Sequence, residues 1–531
     1  MFDVAFLRRL FSRRVIWLVF ALLLVVYGAL AIQGALPFMS PDETGVFASA
    51  RALGSERALA ISEPRAMAFS WLHPRSFVAQ DGILLPVTFP LWPFILSLIG
   101  WMGQGGVLLW AAVVISASAL IPLAWLFEEE LKFSRVQATL LAFVVMTLPT
   151  MVLYGNRSLF TLVPQLALFA WTVWLTSRLK SASSSMLVGL ASAVVIGLRP
   201  VEIVWLLPIL FVALVFWSVR SASSRALTIL WWILGLVAGF GMVGAIHALV
   251  YGVPWQIGYL LRDTPPIVTT MVSASATVTK WWQPFFPFGF SRGQLRQNIL
   301  GSFFLGWWPW MVFWAVTASA WLIKTRFRPA KRELLTFGGA VLLTLWLVFY
   351  YGQGRYADNI GGLAFHLGSS LYRYLTPVVV AWTIWSFWTL RRVIPDRFAR
   401  PVFFSLAIMH VVSGTVWAYT DPVDGILQNR ADRQSYQRIR EVVLKESTSN
   451  TIWLSDRSDK ILFPWRAAVS PLPSPSEIRR FLERENQPVW IFRRPPGQQE
   501  RDAWLAAGLE LVEKERFARE IVYEVRKKAG E

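Results

Sequence analysis

Cysteine is absent from all 531 residues. No disulfide framework or thiolate metal site can therefore be built, and redox chemistry says nothing about compartment. Histidine is scarce: the four residues stand at 73, 247, 366 and 410. They are scattered, and no HExxH spacing appears. There is no Walker loop and no GxGxxG following a strand, so a cytoplasmic nucleotide-binding domain is not expected. Charged residues make up only 16% of the chain, too small a share for an ordinary soluble surface. Nor is there a basic soluble face carrying a recognisable readout motif, so nucleic acid is not an expected partner.

What the chain does contain is apolar. It is 55% hydrophobic, with a mean hydropathy of +0.49, the composition of a polytopic membrane protein. Its 29 Trp and 37 Phe fall largely near the ends of apolar runs, where amphipathic rings settle at the membrane interface. Arg8, Arg9, Arg13 and Arg14 precede a run from Val15 to Leu36. That run is too long for a cleaved signal and lacks a small-residue cleavage site, so it is read as an anchor. Residues 421–531 carry 20 Lys and Arg against 18 Asp and Glu, so nearly all of the net +19 lies in the first 420 residues. A basic membrane part supplies topology signals and attracts anionic lipid.

Apolar runs occupy residues 15–36, 84–102, 104–127, 136–153, 160–177, 184–198, 201–219, 226–250, 300–323, 334–351, 374–390 and 401–419. Short basic connections lie at Arg8–Arg14, Lys132–Arg135, Arg178–Lys180, Arg220–Arg225, Lys324–Arg332 and Arg391–Arg400. All can be cytoplasmic only if one early run does not cross. Leu84–Trp101, interrupted by Pro86, Pro90 and Pro93, is read as that interfacial or re-entrant helix. About eleven crossings remain at roughly 20 residues each, with the N-terminus cytoplasmic and the C-terminus external. The loops 37–83, 154–159, 251–299 and 352–373 then share the outer side with the tail, and long loops are commonly functional.

From about residue 421 the character changes. Apolar runs shrink to strand length at Thr451–Leu454, Val489–Phe492 and Ile521–Val525. Ser474-Pro475-Ser476-Glu477 is a capping-box signature opening a helix to Glu485, and a second helix is expected over Gln499–Ala507. The expected organisation is a membrane module over 1–420 and a small soluble α/β domain over 421–531.

Five groups of residues could carry chemistry. Met39-Ser40-Pro41-Asp42-Glu43 places two carboxylates at the mouth of the first span, a costly position. Desolvation there makes a carboxylate a better base; the structural alternative is that the pair caps the helix beginning near Thr44. Arg373, in Leu371-Tyr372-Arg373-Tyr374, opens a span from the outer side and could hold a lipid-linked phosphate by bidentate hydrogen bonds, or simply snorkel to head groups. Arg262, Lys280, Arg292 and Arg296 are further phosphate candidates in the 251–299 loop. The aromatic Trp281–Phe290 stretch suits an isoprenoid or a sugar face, or plain interfacial anchoring. Arg199 and Glu202 flank Pro200, either as a local ion pair or as a contact to a lipid phosphate.

Ser40-Pro41-Asp42-Glu43 after the first span resembles the first-loop motif of GT-C class membrane glycosyltransferases. The chain is most similar to bacterial and archaeal members of glycosyltransferase family thirty-nine, the protein O-mannosyltransferases and, beside them, the lipid A aminoarabinose transferases. Tyr251-Gly252-Val253-Pro254 through Gly258-Tyr259, Pro287-Phe288-Gly289-Phe290, and Arg373-Tyr374-Leu375-Thr376-Pro377 extend the likeness. Asp459-Lys460 with Phe463-Pro464 looks like the external domain of such proteins. The resemblance implies a polyprenyl-phosphate sugar donor, inversion at the anomeric carbon, and transfer to a glycan, lipid or protein acceptor outside the cytoplasmic membrane. It makes Asp42 the general base and Glu43 its neighbour, sets Arg373 by the donor phosphate, and places Tyr259, Tyr374 and Asp358 along the donor and acceptor cavity. The family often adds an external acid after the third span, helping to hold a divalent cation. Here Tyr154-Gly155-Asn156-Arg157-Ser158-Leu159-Phe160-Thr161 has none, and Arg157 could supply the positive charge instead. No metal ligands are assigned and no cofactor is certain.

Two other classes fit the same composition. A lipid-linked sugar transporter or flippase would show repeated halves or interrupted helices, and no clear repeat is visible. A non-catalytic envelope assembly protein would need no buried acid at position 42.

Overall fold

The computed structural model describes residues 14–29, 38–56, 60–100, 105–157, 159–179, 181–219, 224–256, 258–261, 289–326, 328, 330–354, 366–517 and 520–528. Arg8, Arg9 and Arg13, most of the 251–299 loop including Arg262, Lys280 and Pro287-Phe288, and Asp358 lie outside these residues.

The chain is predominantly helical, with a small sheet in the tail. Among the described residues five helices are long and apolar enough to cross a membrane: Gly106–Glu129, Pro200–Ser218, Arg225–Tyr251, Glu333–Tyr351 and Asp396–Thr420. Two further spans arise if each bent pair counts as one, Arg135–Met146 with Pro149–Asn156 (68°) and Arg292–Gly306 with Trp308–Lys324 (83°). These helices mark a multi-pass membrane protein. The first bend has a local cause: Pro149 lacks an N–H and opens a new helix, so the ladder breaks at Thr147-Leu148. The second follows a π-helical turn, Leu300–Gly306, a common site of kinking.

The run 84–102 is not one continuous helix. Its start is a strand, Ile83–Pro86, and among its described residues the helical part is Leu91–Gly100. Pro86 and Pro90 separate the two, because neither can donate to a continuing ladder.

The chain divides into two compact units. The first comprises the described residues of Met1–Ile32, Ala112–Phe240 and Asp263–Gln428. Within it, the helix Ala182–Leu198 and the first part of the helix Arg225–Tyr251, up to Phe240, approach closely because Gly189 faces the backbone of Trp232 and Leu236, and Gly235 that of Met186. Small residues permit such backbone contact in lipid. One buried cluster joins Ile196, Leu206, Phe303, Leu347, Leu371 and Leu375.

The second unit comprises the described residues of Gln33–Ala111, Gly241–Arg262 and Asn429–Glu531. Its first sheet is β1 (Ile61–Ser62), β2 (Phe77–Gln80) and β3 (Ile83–Pro86), in the order β1-β3-β2. Its second contains β4 (Ile452–Ser455), β5 (Ala468–Val469), β6 (Val489–Arg493), β7 (Leu509–Phe517) and β8 (Glu520–Lys527), in the order β5-β4-β6-β8-β7. β4 runs parallel to both β5 and β6, whereas β8 is antiparallel to β6 and β7. The helix Pro475–Glu485 begins with the expected capping box, Ser474 with Glu477, and the helix Gln498–Ala506 follows. The helix Ile426–Glu446 and strand β7 were not anticipated. Both are mostly polar, and a search for apolar runs passes over them.

Contacts group the first loop with residues 429–531, whereas a boundary near 420 would set the tail apart. Phe69 and Trp71 pack on Phe481 of the tail, with ring centroids 5.1 and 5.6 Å apart. Phe77 packs on Phe463 at 5.2 Å. Removing the fully buried Phe481 ring should therefore loosen both segments. Phe481→Ala should lower stability by about 3–5 kcal/mol and speed tryptic cleavage at Arg65. Unchanged cleavage at Arg65 would contradict the shared core.

Candidate functional site

In the first unit a group of charges lies buried or half-buried among the helices. The helix Pro149–Asn156 ends at Arg157, whose N–H closes the last turn on the Leu153 carbonyl. Arg373 lies in the first turn of Ser370–Val393. The two helices are tied by Thr376 Oγ1 donating to Thr150 Oγ1 at 3.0 Å, and by Tyr154 Oη donating to the Gly368 carbonyl at 2.9 Å. The two guanidinium groups consequently share two rings. Arg157 lies 4.6 Å from the Phe160 centroid and 6.0 Å from that of Tyr154; Arg373 lies 5.2 and 5.9 Å from the same rings. Each ring face attracts a cation and partly offsets the like-charge repulsion.

The grouping extends in both directions. Arg373 and Arg199 each stand 5.2 Å from the Tyr374 ring, which is stacked on Tyr351 at 4.3 Å. Arg199 pairs with Glu202 at 3.1 Å, so the local ion pair is the arrangement present at that turn. Glu202 in turn accepts from Trp205 Nε1. On the other side Arg157 lies 3.9 Å from Asp424, which also pairs with His366 Nδ1. Asp421 accepts from the Asp424 and Leu367 backbone N–H groups at 2.8 and 3.3 Å and so fixes the turn. A Cβ at Gly368 would run into the Asp424 carboxyl, so only glycine permits this approach.

Beside this cluster a cavity of about 490 Å³ is lined almost wholly by apolar side chains, among them Leu126, Phe169, Trp205, Trp217, Pro377 and Ile384. Trp205 joins the two regions: its ring lines the cavity while its N–H meets Glu202.

Of the residues singled out from the sequence, Arg157, Arg373, Tyr374, Arg199 and Glu202 are brought together. Arg292 is exposed in the first turn of its own helix, and no contact joins it to this cluster. The sequence reading missed the roles of His366, Asp421 and Asp424. His366 is one of four scattered histidines, and the aspartates sit in a short Asp-Pro-Val-Asp turn without a motif. Among the described residues no group of three or more His, Asp or Glu could hold a metal ion. The divalent cation that the resemblance implies does not fit Tyr154–Thr161, where Arg157 stands beside Arg373.

Asp42, Glu43 and Tyr259 belong to the second unit. The acids open the helix Pro41–Glu56, with Ser40 Oγ accepting from the Asp42 N–H at 3.2 Å. Glu43 is buried and Asp42 half-buried. Acids in a first turn interact favourably with the helix dipole, so the capping alternative is satisfied by the same geometry. Tyr259 lies in the short turn Gly258–Leu261. At one edge of the larger sheet the C-terminal ends of β4 and β6 and the start of β8 come together, because Ser455 pairs with Phe492 and Arg493 with Ile521. Burial raises the Glu520 carboxyl there, with Arg494 opposing it, Asp456 adding to it and Lys460 opposing it. Burial likewise pushes Tyr436 up to about 12, helped by the negative charges of Asp432 and Glu520.

The buried Arg199–Glu202 pair makes a direct test of the first unit's electrostatics. Arg199→Met leaves Glu202 buried and uncompensated, which should cost about 3–5 kcal/mol in thermal unfolding of the solubilised protein. Pairing it with Glu202→Gln should recover most of that loss, and a single variant of unchanged stability would contradict the assignment. No protein-family model matches the chain, and no curated protein matches it in sequence.

Proposed function

We propose that this protein is a GT-C-like membrane glycosyltransferase with about eleven crossings, using a polyprenyl-phosphate sugar as donor. The observation that carries the reading is the grouping of Arg157, Arg373 and Arg199 over shared rings in one helical unit, with an apolar cavity reached through Trp205, which donates to Glu202, the partner of Arg199. An amphiphile with a phosphate head and a long hydrocarbon tail suits both parts at once. In this reading the N-terminus is cytoplasmic, and transfer occurs on the outer face of the cytoplasmic membrane. Asp42 takes the proton of the acceptor hydroxyl as its oxygen attacks the anomeric carbon, and Glu43 orients it. The bond from the anomeric carbon to the phosphate oxygen breaks with inversion, and the departing lipid phosphate carries the negative charge. Arg373 and Arg157 stabilise that charge through hydrogen bonds aimed at the phosphate oxygens. Positioning, a base and charge stabilisation together suffice for such a displacement. No step is assigned to a divalent cation. The acceptor is a glycan, lipid or protein; neither nucleic acid nor a nucleotide cofactor enters.

A second reading has a specific observation behind it. Two helix pairs are bent by 68° and 83°, and interrupted helices are a mark of transporters. A lipid-linked sugar transporter would use the same arginines and cavity but leave the sugar–phosphate bond intact.

Purified protein in liposomes with a radiolabelled polyprenyl-phosphate sugar separates these readings. A transferase consumes the donor, and Asp42→Asn should reduce that turnover by about 10²-fold or more without altering insertion or thermal stability. Arg373→Ala should weaken donor use by about tenfold or more, or 1.4 kcal/mol, and chelators should leave transfer intact. Donor that crosses the bilayer without being consumed would favour the transporter, and full turnover by Asp42→Asn would remove the base.

A further inference from the structure

Three contacts in the second unit close a ring around the acidic turn. Lys460 Nζ donates to the Met39 carbonyl at 2.6 Å, two residues before Pro41. The neighbouring Asp459 is fully buried and accepts from both the Arg75 backbone N–H and Arg75 Nε, each at 2.9 Å. Arg75 is followed by Ser76, and Ser76 lies against Gly45 in the first turns of Pro41–Glu56. A Cβ at Gly45 would stand only 2.8 Å from Ser76 Cβ. The path runs from Met39 to Lys460, through Asp459 to Arg75, and through Ser76 back to Gly45. Asp42 and Glu43 are the residues it encloses in sequence.

The location is informative. Lys460 belongs to the short helical turn that follows β4. β4 is the strand at which the chain reverses direction across the sheet, since β5 lies on one side and β6 on the other. In open α/β sheets the crevice outside the carboxyl ends of the strands, at such a reversal, is where ligands bind. Here a segment of the same chain, Met39 to Gly45, meets the residues of that edge. The Lys460 ammonium also lies 5.1 Å from the Tyr436 ring, and a cation held over a ring while donating to a carbonyl has little freedom.

We infer that the tail's sheet edge is a clamp for the acidic turn, and that Lys460 is a positioning residue for Asp42. This gives residues 429–531 a role: they fix the base rather than bind a free ligand of their own. The positioning role rests on Asp42 being the base, as proposed above; the clamp itself does not. A side chain one ångström out of place can cost about 10²-fold in rate, so fixing this turn matters to any chemistry at Asp42.

The absence of cysteine allows a readout independent of transfer. Met39 is half-buried, and Met39→Cys provides a single thiol for maleimide labelling of the full-length protein in liposomes. Lys460→Met keeps an apolar stem over Tyr436 but removes the donor. It should accelerate labelling about tenfold through local opening, and Lys460→Arg should restore the slow rate. In the transfer assay Lys460→Met should lower kcat about tenfold with donor KM unchanged. Gly45→Ala, which strains the opposite side of the ring, should speed labelling likewise and serves if Lys460→Met fails to insert. Equal labelling rates in all backgrounds would overturn the clamp. Faster labelling with unchanged kcat would overturn the positioning role, and a wild-type protein that consumes no donor would overturn the transferase reading while labelling still decides the clamp.

Discussion

A guanidinium buried among apolar helices must be satisfied by groups inside the protein. Much of the first unit answers that demand. Arg199 is 5% exposed and Arg157 7%, so neither reaches water as a surface arginine would. Glu202, Asp424 and the faces of Tyr154, Phe160 and Tyr374 supply the compensation. The helices carrying these groups are held in the spacing the pairs require. Thr376 on Thr150 and Tyr154 on Gly368 act as cross-ties, and glycine at 368 leaves room for the Asp424 carboxyl. A charge in such surroundings is costly, and its retention points to function.

The second unit answers a different constraint. Its sheet is small and mixed, and the first loop contributes to its core as its own helices do. Phe69, Trp71 and Phe77 cover tail residues Phe481 and Phe463. Burying these rings stabilises a domain of limited size. The same packing fixes the segment bearing Asp42 and Glu43. Stability and the placement of the acidic turn therefore depend on one set of contacts.

Particular residues show how far the sequence could be read. The apolar helices were legible because lipid imposes length and hydropathy on each span, and Glu333–Tyr351 and Asp396–Thr420 match their runs closely. The Ser474 capping box was legible because its hydrogen bonds close within four residues. The helix Ile426–Glu446 escaped because its buried side chains, such as Ile439 and Val443, are spaced within a polar sequence. The run 84–102 is helical only in part, because three prolines can end a helix or divide a strand from one, and β2 decides between them by pairing with Ile83–Pro86.

By itself the sequence determined a helical chain for a membrane, a change of character near residue 421, and two carboxylates at a helix start. Those properties are local: they depend on hydropathy over some twenty residues or on hydrogen bonds within one turn. Tertiary structure alone decided that Arg157 and Arg373 share two rings, that Asp424 and His366 join them, and that Lys460 meets Met39 across 421 residues of chain. Such pairs arise where distant segments pack, and no short-range pattern of residues encodes which distant segment will arrive.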